Sequence, residues 1–335
     1  MQASACRRLK AGLQTATVRS AGFSLPPPKG GTTNDRLKAG LRTKGDFDFR
    51  LRTKVDSLSS MQDTCRQEIG FIGAGKMATA LAKGFIRAGI VNPEQILASD
   101  VSSQALDSFA AATGSHTCKD NTEVVRNAHV IILAVKPDCV QPVLDQIKAV
   151  FTPDHLLISI AAGIKIESIQ QALCPGARVV RVMPNTPAVA GASASAFAKG
   201  GSALPEDVQL TAKLFGAVGE VVEVKERLLD AVTGLSGSGP AYVCLVIEAL
   251  SDGGVAAGLP RDTAIRLAAQ TVLGTAKMVL ESGIHPAALR DMVTSPGGTT
   301  IEGLHQLEKS GVRAAFISAV RAAAEKSQQL GKPRC

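Results

Sequence analysis

The sequence predicts an α/β chain in which a parallel sheet with helices on both faces is followed by an all-helical region. Three observations lead to this fold class. Short apolar runs alternate with helical patterns from about residue 68 to residue 224, as is typical of parallel sheets. A glycine-rich turn joins the first apolar run to the first helical pattern. From Lys225 onward, apolar residues recur only at helical spacing, which predicts a helical bundle.

Residues 1–65 differ from the remainder in charge. Of the 37 basic and 29 acidic residues, 12 and 4 lie in residues 1–60, which leaves 25 of each in the body. The net charge of +8 therefore belongs to this segment, and the body lacks the basic field that favours nucleic-acid binding. The basic residues stand among Ser, Ala and Thr, which resembles a transit peptide. Short internal echoes fit a disordered extension equally well, and both alternatives stay open.

The first strand and its following turn carry a dinucleotide-binding pattern. Glu68–Ile72 is apolar, and Gly73–Ala78 reads Gly-x-Gly-x-x-Ala before a helical pattern. Gly73 permits a tight turn, Gly75 lets a pyrophosphate approach the backbone, and Ala78 permits close helix packing. We therefore predict a Rossmann-type dinucleotide-binding domain over residues 66–224.

Asp100 ends the second predicted strand, 95–100. A carboxylate at this position accepts hydrogen bonds from the adenosine ribose and repels a 2′-phosphate, which favours NAD. Ser99 beside it is a candidate donor to that phosphate. The alternative role for Asp100 is the N-cap of a helix over Val101–Thr113.

Three later strands end in small, polar or turn-forming residues at the edge where ligands bind in such sheets. A further run, Ala192–Lys199, is predicted as an edge strand, and Glu220–Val224 closes the sheet. The three strand ends are Lys136-Pro137 after 130–135, Ala161–Gly163 after 156–160, and Pro184–Pro187 after 179–183.

Residues 225–335 are predicted to form a helical dimerisation domain. The first helical stretch, Leu228–Gly258, is interrupted at Gly234–Pro240, where proline removes a backbone donor. The bundle is rich in Ala and Gly, so we expect it to pack against a second copy of itself. The later predicted helices are Arg261–Ser282, Pro286–Val293, Thr299–Glu308 and Val312–Leu330.

The loop Thr294–Thr300 reads Thr-Ser-Pro-Gly-Gly-Thr-Thr and leads into one of these helices. It would present backbone N–H groups and two hydroxyls at a helix N-terminus, which suits an anion such as a small carboxylate. The alternative is an ordinary turn with a threonine N-cap.

Other chemistries lack a pattern in the sequence. The histidines and cysteines show no metal-ligand spacing, so no metal site is predicted. The seven cysteines are expected to be buried small hydrophobes. His285 and His305 are candidate acids, although a capping or surface role fits each better. No apolar run approaches the ~20 residues of a membrane span.

Five motifs occur in order along residues 66–330: Phe71–Gly75, Ala134–Pro137, Arg181–Pro187, Asp230–Tyr242 and Leu289–Leu304. Together they resemble the pyrroline-5-carboxylate reductase family, and the short C-terminal end is most similar to the shorter, cytosolic animal form. The resemblance implies reduction of 1-pyrroline-5-carboxylate to L-proline, the final step of proline biosynthesis, with NADH or NADPH. It also implies a homodimer, with assembly into a larger homo-oligomer left open.

The resemblance further implies site residues. Glu226, Gly298, Thr299 and Thr300 would contact the substrate, with Thr300 and Glu226 as catalytic residues. Met292 stands where family members often carry a polar residue, and together with Asp100 it argues against a strong preference for NADPH. The implied cofactor contacts are Ile72, Gly73, Ala74, Gly75, Lys76, Met77, Ser99, Asp100, Asn121, Ala134, Val135, Lys136, Pro137, Ala161, Ala162 and Gly163.

Two other functions remain as alternatives. One is a β-hydroxyacid dehydrogenase-like oxidoreductase, for which Lys277 is the candidate catalytic lysine. The other is a non-catalytic NAD(P)-binding regulator. The expected compartment is the cytoplasm, or the mitochondrion if residues 1–60 act as a transit peptide.

Overall fold

The structure is a computed structural model that describes residues 68–331. The predicted N-terminal extension, residues 1–65, lies outside the described residues. In the described part, eight strands form one sheet. They are β1 (Ile69–Ile72), β2 (Ile96–Ser99), β3 (His116–Cys118), β4 (Val130–Leu133), β5 (Leu156–Ser159), β6 (Arg178–Met183), β7 (Ser193–Lys199) and β8 (Gly219–Glu223).

The strand order confirms the predicted doubly wound sheet. It runs β3-β2-β1-β4-β5-β6-β7-β8. The pairs from β3 to β6 are all parallel, whereas β7 is antiparallel to β6 and parallel to β8. The order reverses between β1 and β4, so a crevice forms beyond the carboxyl ends of these two strands.

Helices cover both faces of the sheet and enclose two apolar cores. The low aromatic content predicts aliphatic packing, but one core contains five phenylalanines: Phe71, Phe85, Phe109, Phe197 and Phe215. Phe71 lies 6.3 Å from Phe85 and 5.8 Å from Phe109, and Phe85 lies 6.2 Å from Phe215, between ring centroids. The covering helices are α1 (Lys76–Arg87), α2 (Ser103–Thr113), α3 (Asn121–Asn127), α4 (Val140–Ile147), α5 (Ile166–Ala172) and α6 (Pro205–Gly216).

The prediction of an edge strand at Ala192–Lys199 is wrong. This segment is β7, which lies between β6 and β8. Ser193 and Ser195 made it resemble a solvent-exposed strand, yet both are buried. Their hydroxyls lie 2.9 Å apart, and Ser193 donates to Asn185 Oδ1 at 3.0 Å. These hydrogen bonds satisfy the polar groups inside the sheet.

The region after the sheet is helical, as predicted. The predicted interruption is a π-helical turn at Thr233–Gly237, and Pro240 occupies the first turn of the next helix. A Cβ on Gly234 would lie 2.9 Å from Ala324 N, so this glycine permits close helix packing. The helices are α7 (Leu229–Val232), α8 (Gly239–Ala256), α9 (Arg261–Ser282), α10 (Pro286–Met292), α11 (Thr299–Lys309) and α12 (Val312–Leu330).

Helices α8 to α12 expose much apolar surface. Leu245 on α8 is 63 % exposed, and Leu273 and Leu280 on α9 are 62 % and 76 % exposed. Only Ala264, Ala268 and Leu289 are buried apolar residues on these helices, within the chain as described. Contiguous exposed apolar surface of this kind marks an interaction site. Between residues 68 and 331, no helix is long and apolar enough to cross a membrane.

Candidate active site

The glycine turn between β1 and α1 has the geometry of a phosphate cradle. Gly73 has a φ of +102°, and a Cβ there would lie 2.7 Å from the carbonyl oxygen of Ala134. Gly75 is the N-cap of α1 and makes no side-chain cap hydrogen bond. A Cβ on Gly75 would meet nothing within 4 Å, so the space above it is open. The N–H groups at this helix start suit the pyrophosphate of a dinucleotide, and the buried Ala78 confirms the predicted close packing.

Asp100 bridges the glycine turn and the turn after β2. Its Oδ2 accepts from the Ala74 N–H at 2.9 Å, and its Oδ1 accepts from the Ser102 N–H at 2.8 Å. The predicted N-cap role of Asp100 is wrong, because α2 begins at Ser103 and Ser102 accepts from the Ala105 N–H at 3.3 Å. Asp100 therefore lies against the cradle, where the adenosine ribose of a bound dinucleotide is expected.

Ser99 is fully buried beneath this edge of the sheet. Its hydroxyl donates to Asn121 Oδ1 at 2.7 Å, and Asn121 Nδ2 in turn donates to Gln146 Oε1 at 2.7 Å. A hydroxyl with its hydrogen held by Asn121 is poorly placed to donate to a phosphate. Ser99 and Asn121 instead fix the ends of β2 and α3 beside the crevice.

The predicted strand-end loops line one edge of the sheet. The Ala134 N–H donates to Ile72 O at 2.8 Å, so the turn after β4 lies directly beside the glycine turn. Lys136 is exposed there, while Ala134, Val135 and Pro137 are half-buried. In the loop after β5, Ala161 is buried and Ala162 is half-exposed. This edge gathers all the predicted cofactor contacts that follow strands.

Gly163 has a different environment from the one its sequence position suggested. It has a φ of +79°, and a Cβ on it would lie 3.2 Å from Gly331 N and 3.3 Å from Leu330 Cβ. The end of α12 thus packs onto this loop. The absence of a side chain at Gly163 is therefore required by packing within the chain itself.

A cleft of about 770 Å³ opens beside the glycine turn, between α1 and α2. Its basic lining residues are Lys76, Lys83 and Arg87, and no carboxylate lines it. Ser102 also lines the cleft, whereas Asp100 does not. Sequence reasoning missed this basic cleft, although the three cations lie at roughly helical spacing along α1.

The loop Thr294–Thr300 forms an uncapped helix start. Gly297 has a φ of +64°, and Gly298 is the N-cap of α11 with no side-chain cap hydrogen bond. The alternative of a threonine N-cap is therefore wrong. Thr299 and Thr300 are the first residues of α11, and their N–H groups point out of the helix start, where an anion can accept from them.

Glu226 lies in a network on the sheet. Its Oε1 accepts from the Ile166 N–H at 2.7 Å and from Arg181 Nη1 at 3.3 Å. The carboxylate thus caps α5, for which Lys165 supplies no side-chain cap. None of these contacts involves α11.

Neither of the two clefts contains both the glycine cradle and the Thr294–Thr300 loop, of which only Thr294 lines a cleft. A second cleft, of about 550 Å³, lies between α10 and α11 and includes Arg290, Thr294 and His305. It shares no residue with the cleft beside α1. The chain as described therefore does not join its two predicted binding loops in either cleft.

Other candidate residues have structural roles or lie on the surface. His285 caps α10, because its Nδ1 accepts from the Ala287 N–H at 3.2 Å. Lys277 is exposed and lies 3.5 Å from Glu281. Residues 68–331 contain no group of three His, Cys, Asp or Glu side chains that could hold a metal ion.

The prediction that the cysteines are buried is wrong for two of them. Cys139, in the turn before α4, and Cys244, on the apolar face of α8, are exposed. Cys118 is half-buried, and burial raises the pKa of its thiol to about 11.

Comparison with known protein families gives two matches. Residues 226–330 match a family model described as pyrroline-5-carboxylate reductase dimerisation. Residues 68–163 match one described as NADP oxidoreductase, coenzyme F420-dependent.

Curated relatives match most of the chain. The pyrroline-5-carboxylate reductase of Methanosarcina acetivorans is 54 % identical, over 79 % of this chain and 98 % of that protein. The enzyme of Pisum sativum is 49 % identical, over 78 % and 95 %. Pyrroline-5-carboxylate reductase 3 of Rattus norvegicus is 46 % identical, over 79 % and 97 %. Pyrroline-5-carboxylate reductase 2 of Bos taurus is also 46 % identical, over 78 % of this chain and 83 % of that protein.

Solved structures confirm the fold. A pyrroline-5-carboxylate reductase from Coxiella burnetii has a TM-score of 0.74 at 38 % identity, over 80 % of this chain and all of that chain. A Plasmodium falciparum pyrroline carboxylate reductase with NADP bound has a TM-score of 0.73 at 35 % identity, over 79 % and 98 %.

Proposed function

The chain belongs to the pyrroline-5-carboxylate reductase family, and we propose how its residues carry out the reduction of 1-pyrroline-5-carboxylate to L-proline with NADH or NADPH. The observation that carries this function is the match to nearly the full length of curated reductases, 98 % for the first of them. The open glycine cradle and the uncapped α11 start supply sites for the two anionic partners, the cofactor pyrophosphate and the substrate carboxylate.

The dinucleotide binds along the carboxyl edge of the sheet. The N–H groups at the start of α1 hold the pyrophosphate, and Gly75 leaves the space it needs. Asp100 lies beside the adenosine ribose, while the loops after β4 and β5 flank the nicotinamide. When bound, the reduced nicotinamide supplies the hydride.

The substrate carboxylate lies on the N–H groups of Gly298, Thr299 and Thr300. The Thr300 hydroxyl then hydrogen-bonds the ring nitrogen. A protonated cyclic imine already carries positive charge, so its carbon accepts a hydride without a strong acid or base nearby. The work of the protein is to hold the ring against the nicotinamide and to exclude water.

The predicted contact between Glu226 and the substrate stays a prediction. Its carboxylate oxygen already accepts from Ile166 and Arg181. These contacts favour an indirect role, in which Glu226 holds the sheet edge rather than the substrate.

The active site is completed by a second subunit. Neither cleft contains both the cofactor cradle and the loop Thr294–Thr300, and helices α8 to α12 expose apolar side chains. Residues 226–330 match a dimerisation model. In the proposed homodimer, residues 66–224 of one protomer bind the cofactor, and the helical domain of its partner, residues 225–335, brings the Thr294–Thr300 loop. Assembly of dimers into a larger homo-oligomer is compatible with this arrangement.

We propose that the enzyme is located in the cytoplasm. A transit peptide in residues 1–60 would place it in mitochondria instead. Imaging of a fluorescent fusion with and without residues 1–60 distinguishes these locations. Sequencing the N-terminus of the native protein shows whether the segment is kept.

Oxidation of NADH and NADPH by the purified chain in the presence of 1-pyrroline-5-carboxylate tests the function. We expect turnover with L-proline as the product. A β-hydroxyacid dehydrogenase would oxidise a hydroxy acid and leave the imine unreduced. A regulator would bind the dinucleotide without turnover of either compound.

A further inference from the structure

A buried arginine joins the sheet to the helical half. Arg181 lies on β6 and is only 4 % exposed. Its Nη1 lies 3.3 Å from Glu226 Oε1, and its Nη2 lies 3.7 Å from Asp230 Oδ1. A buried guanidinium is stable only when it is paired, and both of its partners come from the chain after the sheet. This pairing fixes the start of the helical half on the sheet.

Each carboxylate makes a second contact. Glu226 Oε1 accepts from the Ile166 N–H at 2.7 Å, at the start of α5. Asp230 Oδ1 accepts from the Ser327 hydroxyl at 2.7 Å. Ser327 is 3 % exposed and lies near the end of α12. We call Arg181, Glu226, Asp230 and Ser327 the Arg181 cluster; it ties α5 and α12 to one strand.

The loop after β5 lies between these two contacts, the one at the start of α5 and the one near the end of α12. Ile166, held by Glu226, follows Gly163 by three residues. On the other side, Ser327 O and Leu330 Cβ both lie 3.3 Å from the position that a Gly163 Cβ would occupy. The loop is therefore held at its far end by the cap of α5 and across its face by the end of α12.

We propose that the Arg181 cluster consists of positioning residues, which set the loop Ala161–Gly163 at the place that the nicotinamide ring requires. This rests on the proposed function, in which that loop flanks the nicotinamide. Arg181 lies on β6, three strands from β1 and its glycine turn, so the cluster acts on the nicotinamide end of the cofactor and not on its adenosine end.

Replacing Ser327 by Ala tests the proposal with a small change. It removes one buried hydrogen bond to a charged group and leaves the Arg181 pairs in place. We expect the dissociation constant of NADH to rise about tenfold, while that of ADP-ribose, which lacks the nicotinamide, stays within about twofold. The turnover number should fall, and the KM for 1-pyrroline-5-carboxylate should stay unchanged. Ser310→Ala, which removes an exposed hydroxyl from the helical half, is the matched control.

A second variant approaches the same loop from its other side. Gly163→Ala places a methyl group against the end of α12 and should weaken NADH binding while sparing ADP-ribose. Equal weakening of both ligands, or no change in either for Ser327→Ala and Gly163→Ala, would overturn the proposal. The binding measurements contain no imine substrate. A wild-type chain that binds NADH but fails to reduce 1-pyrroline-5-carboxylate would therefore disprove the proposed function separately.

Discussion

The Oδ2 atom of Asp100 accepts a hydrogen bond from the Ala74 N–H across 2.9 Å, which holds a carboxylate against the phosphate cradle. The other oxygen accepts from Ser102, so both are turned toward backbone and Asp100 does not line the neighbouring basic cleft. Lys76 does line that cleft. A 2′-phosphate on the ribose would therefore meet opposing charges, a fixed anion and a nearby cation.

Replacing Asp100 by Asn distinguishes the effect of the Asp100 anion on cofactor preference from that of the Lys76 cation. The amide keeps an acceptor for one backbone N–H but removes the negative charge beside the ribose. We expect the affinity for NADPH to rise about tenfold relative to NADH. Isothermal titration with each cofactor measures the ratio. Lys76→Met is the reciprocal variant and should lower the affinity for NADPH relative to NADH. An unchanged ratio of the two affinities in both variants would show that neither charge selects the cofactor.

Alanine substitutions of the two cradle glycines, Gly73 and Gly75, should have different effects. Gly73→Ala forces a side chain at a φ of +102° and against Ala134 O, so we expect a loss of about 1–3 kcal/mol in the free energy of unfolding. Gly75→Ala meets no atom within 4 Å, so stability should hold while cofactor affinity falls, because the pyrophosphate needs that space. Denaturant unfolding and cofactor titration of both variants check this contrast. Equal stability of the two variants would contradict it.

Substitutions of Thr300 test the proposed substrate site. Thr300→Ala removes the hydroxyl proposed to bind the ring nitrogen, and we expect the turnover number to fall about 100-fold with the NADH dissociation constant unchanged. Thr300→Ser keeps the hydroxyl and should recover most of the turnover. Thr275→Ala is the matched control, since Thr275 lies outside the loop and its exposed hydroxyl donates to Thr271 O one helix turn away. Full turnover in Thr300→Ala would remove Thr300 from the mechanism.

The exposed apolar face of α9 predicts the effect of a charge there. Leu273 is 62 % exposed in the single chain, and we expect Leu273→Glu to dissociate the proposed homodimer and abolish turnover, because each proposed site needs both subunits. Light scattering after gel filtration measures the mass. Val222→Glu, at a residue that is 56 % exposed on β8, is the control and should remain assembled. A fully active Leu273→Glu monomer would refute the shared site.

Cys118 should be unreactive at neutral pH. Burial raises its pKa from 9.0 to about 11, although a backbone hydrogen bond of Asp120 lowers it in part. The thiolate that reacts is therefore scarce at pH 8. Peptide mapping after alkylation at about pH 8 should show Cys118 modified at least about tenfold more slowly than the exposed Cys139. Similar rates would disprove the shift.

The same shift gives a pH dependence of stability. A raised pKa means that the folded state favours the neutral thiol. Its contribution to stability is complete below the ordinary value of 9.0 and is lost as the pH rises toward about 11. A Cys118→Ala variant should therefore lose less stability than the wild type across that window, as followed by denaturant unfolding.

Structural features that depend on only a few neighbouring residues could be predicted from the sequence. The glycine turn at Gly73–Ala78, the helix start after Gly298 and the parallel strands depend on local backbone freedom and on apolar periodicity. Two local predictions were wrong for a common reason. The edge assignment of β7 and the N-cap role of Asp100 both depended on where a polar group finds its partner, and those partners lie elsewhere in the chain.

The sequence by itself determined the fold class, the glycine turn after β1 and the presence of a helix start after the Thr294–Thr300 loop. Only the tertiary structure decided which groups make their hydrogen bonds, ion pairs or close contacts within the protein and are therefore not free to bind a ligand. Arg181 and Glu226 are 45 residues apart in sequence, and Gly163 meets the end of α12 at Gly331. Such contacts depend on the path of the whole chain through the sheet, because burial requires each charge and each close backbone approach to find its partner there.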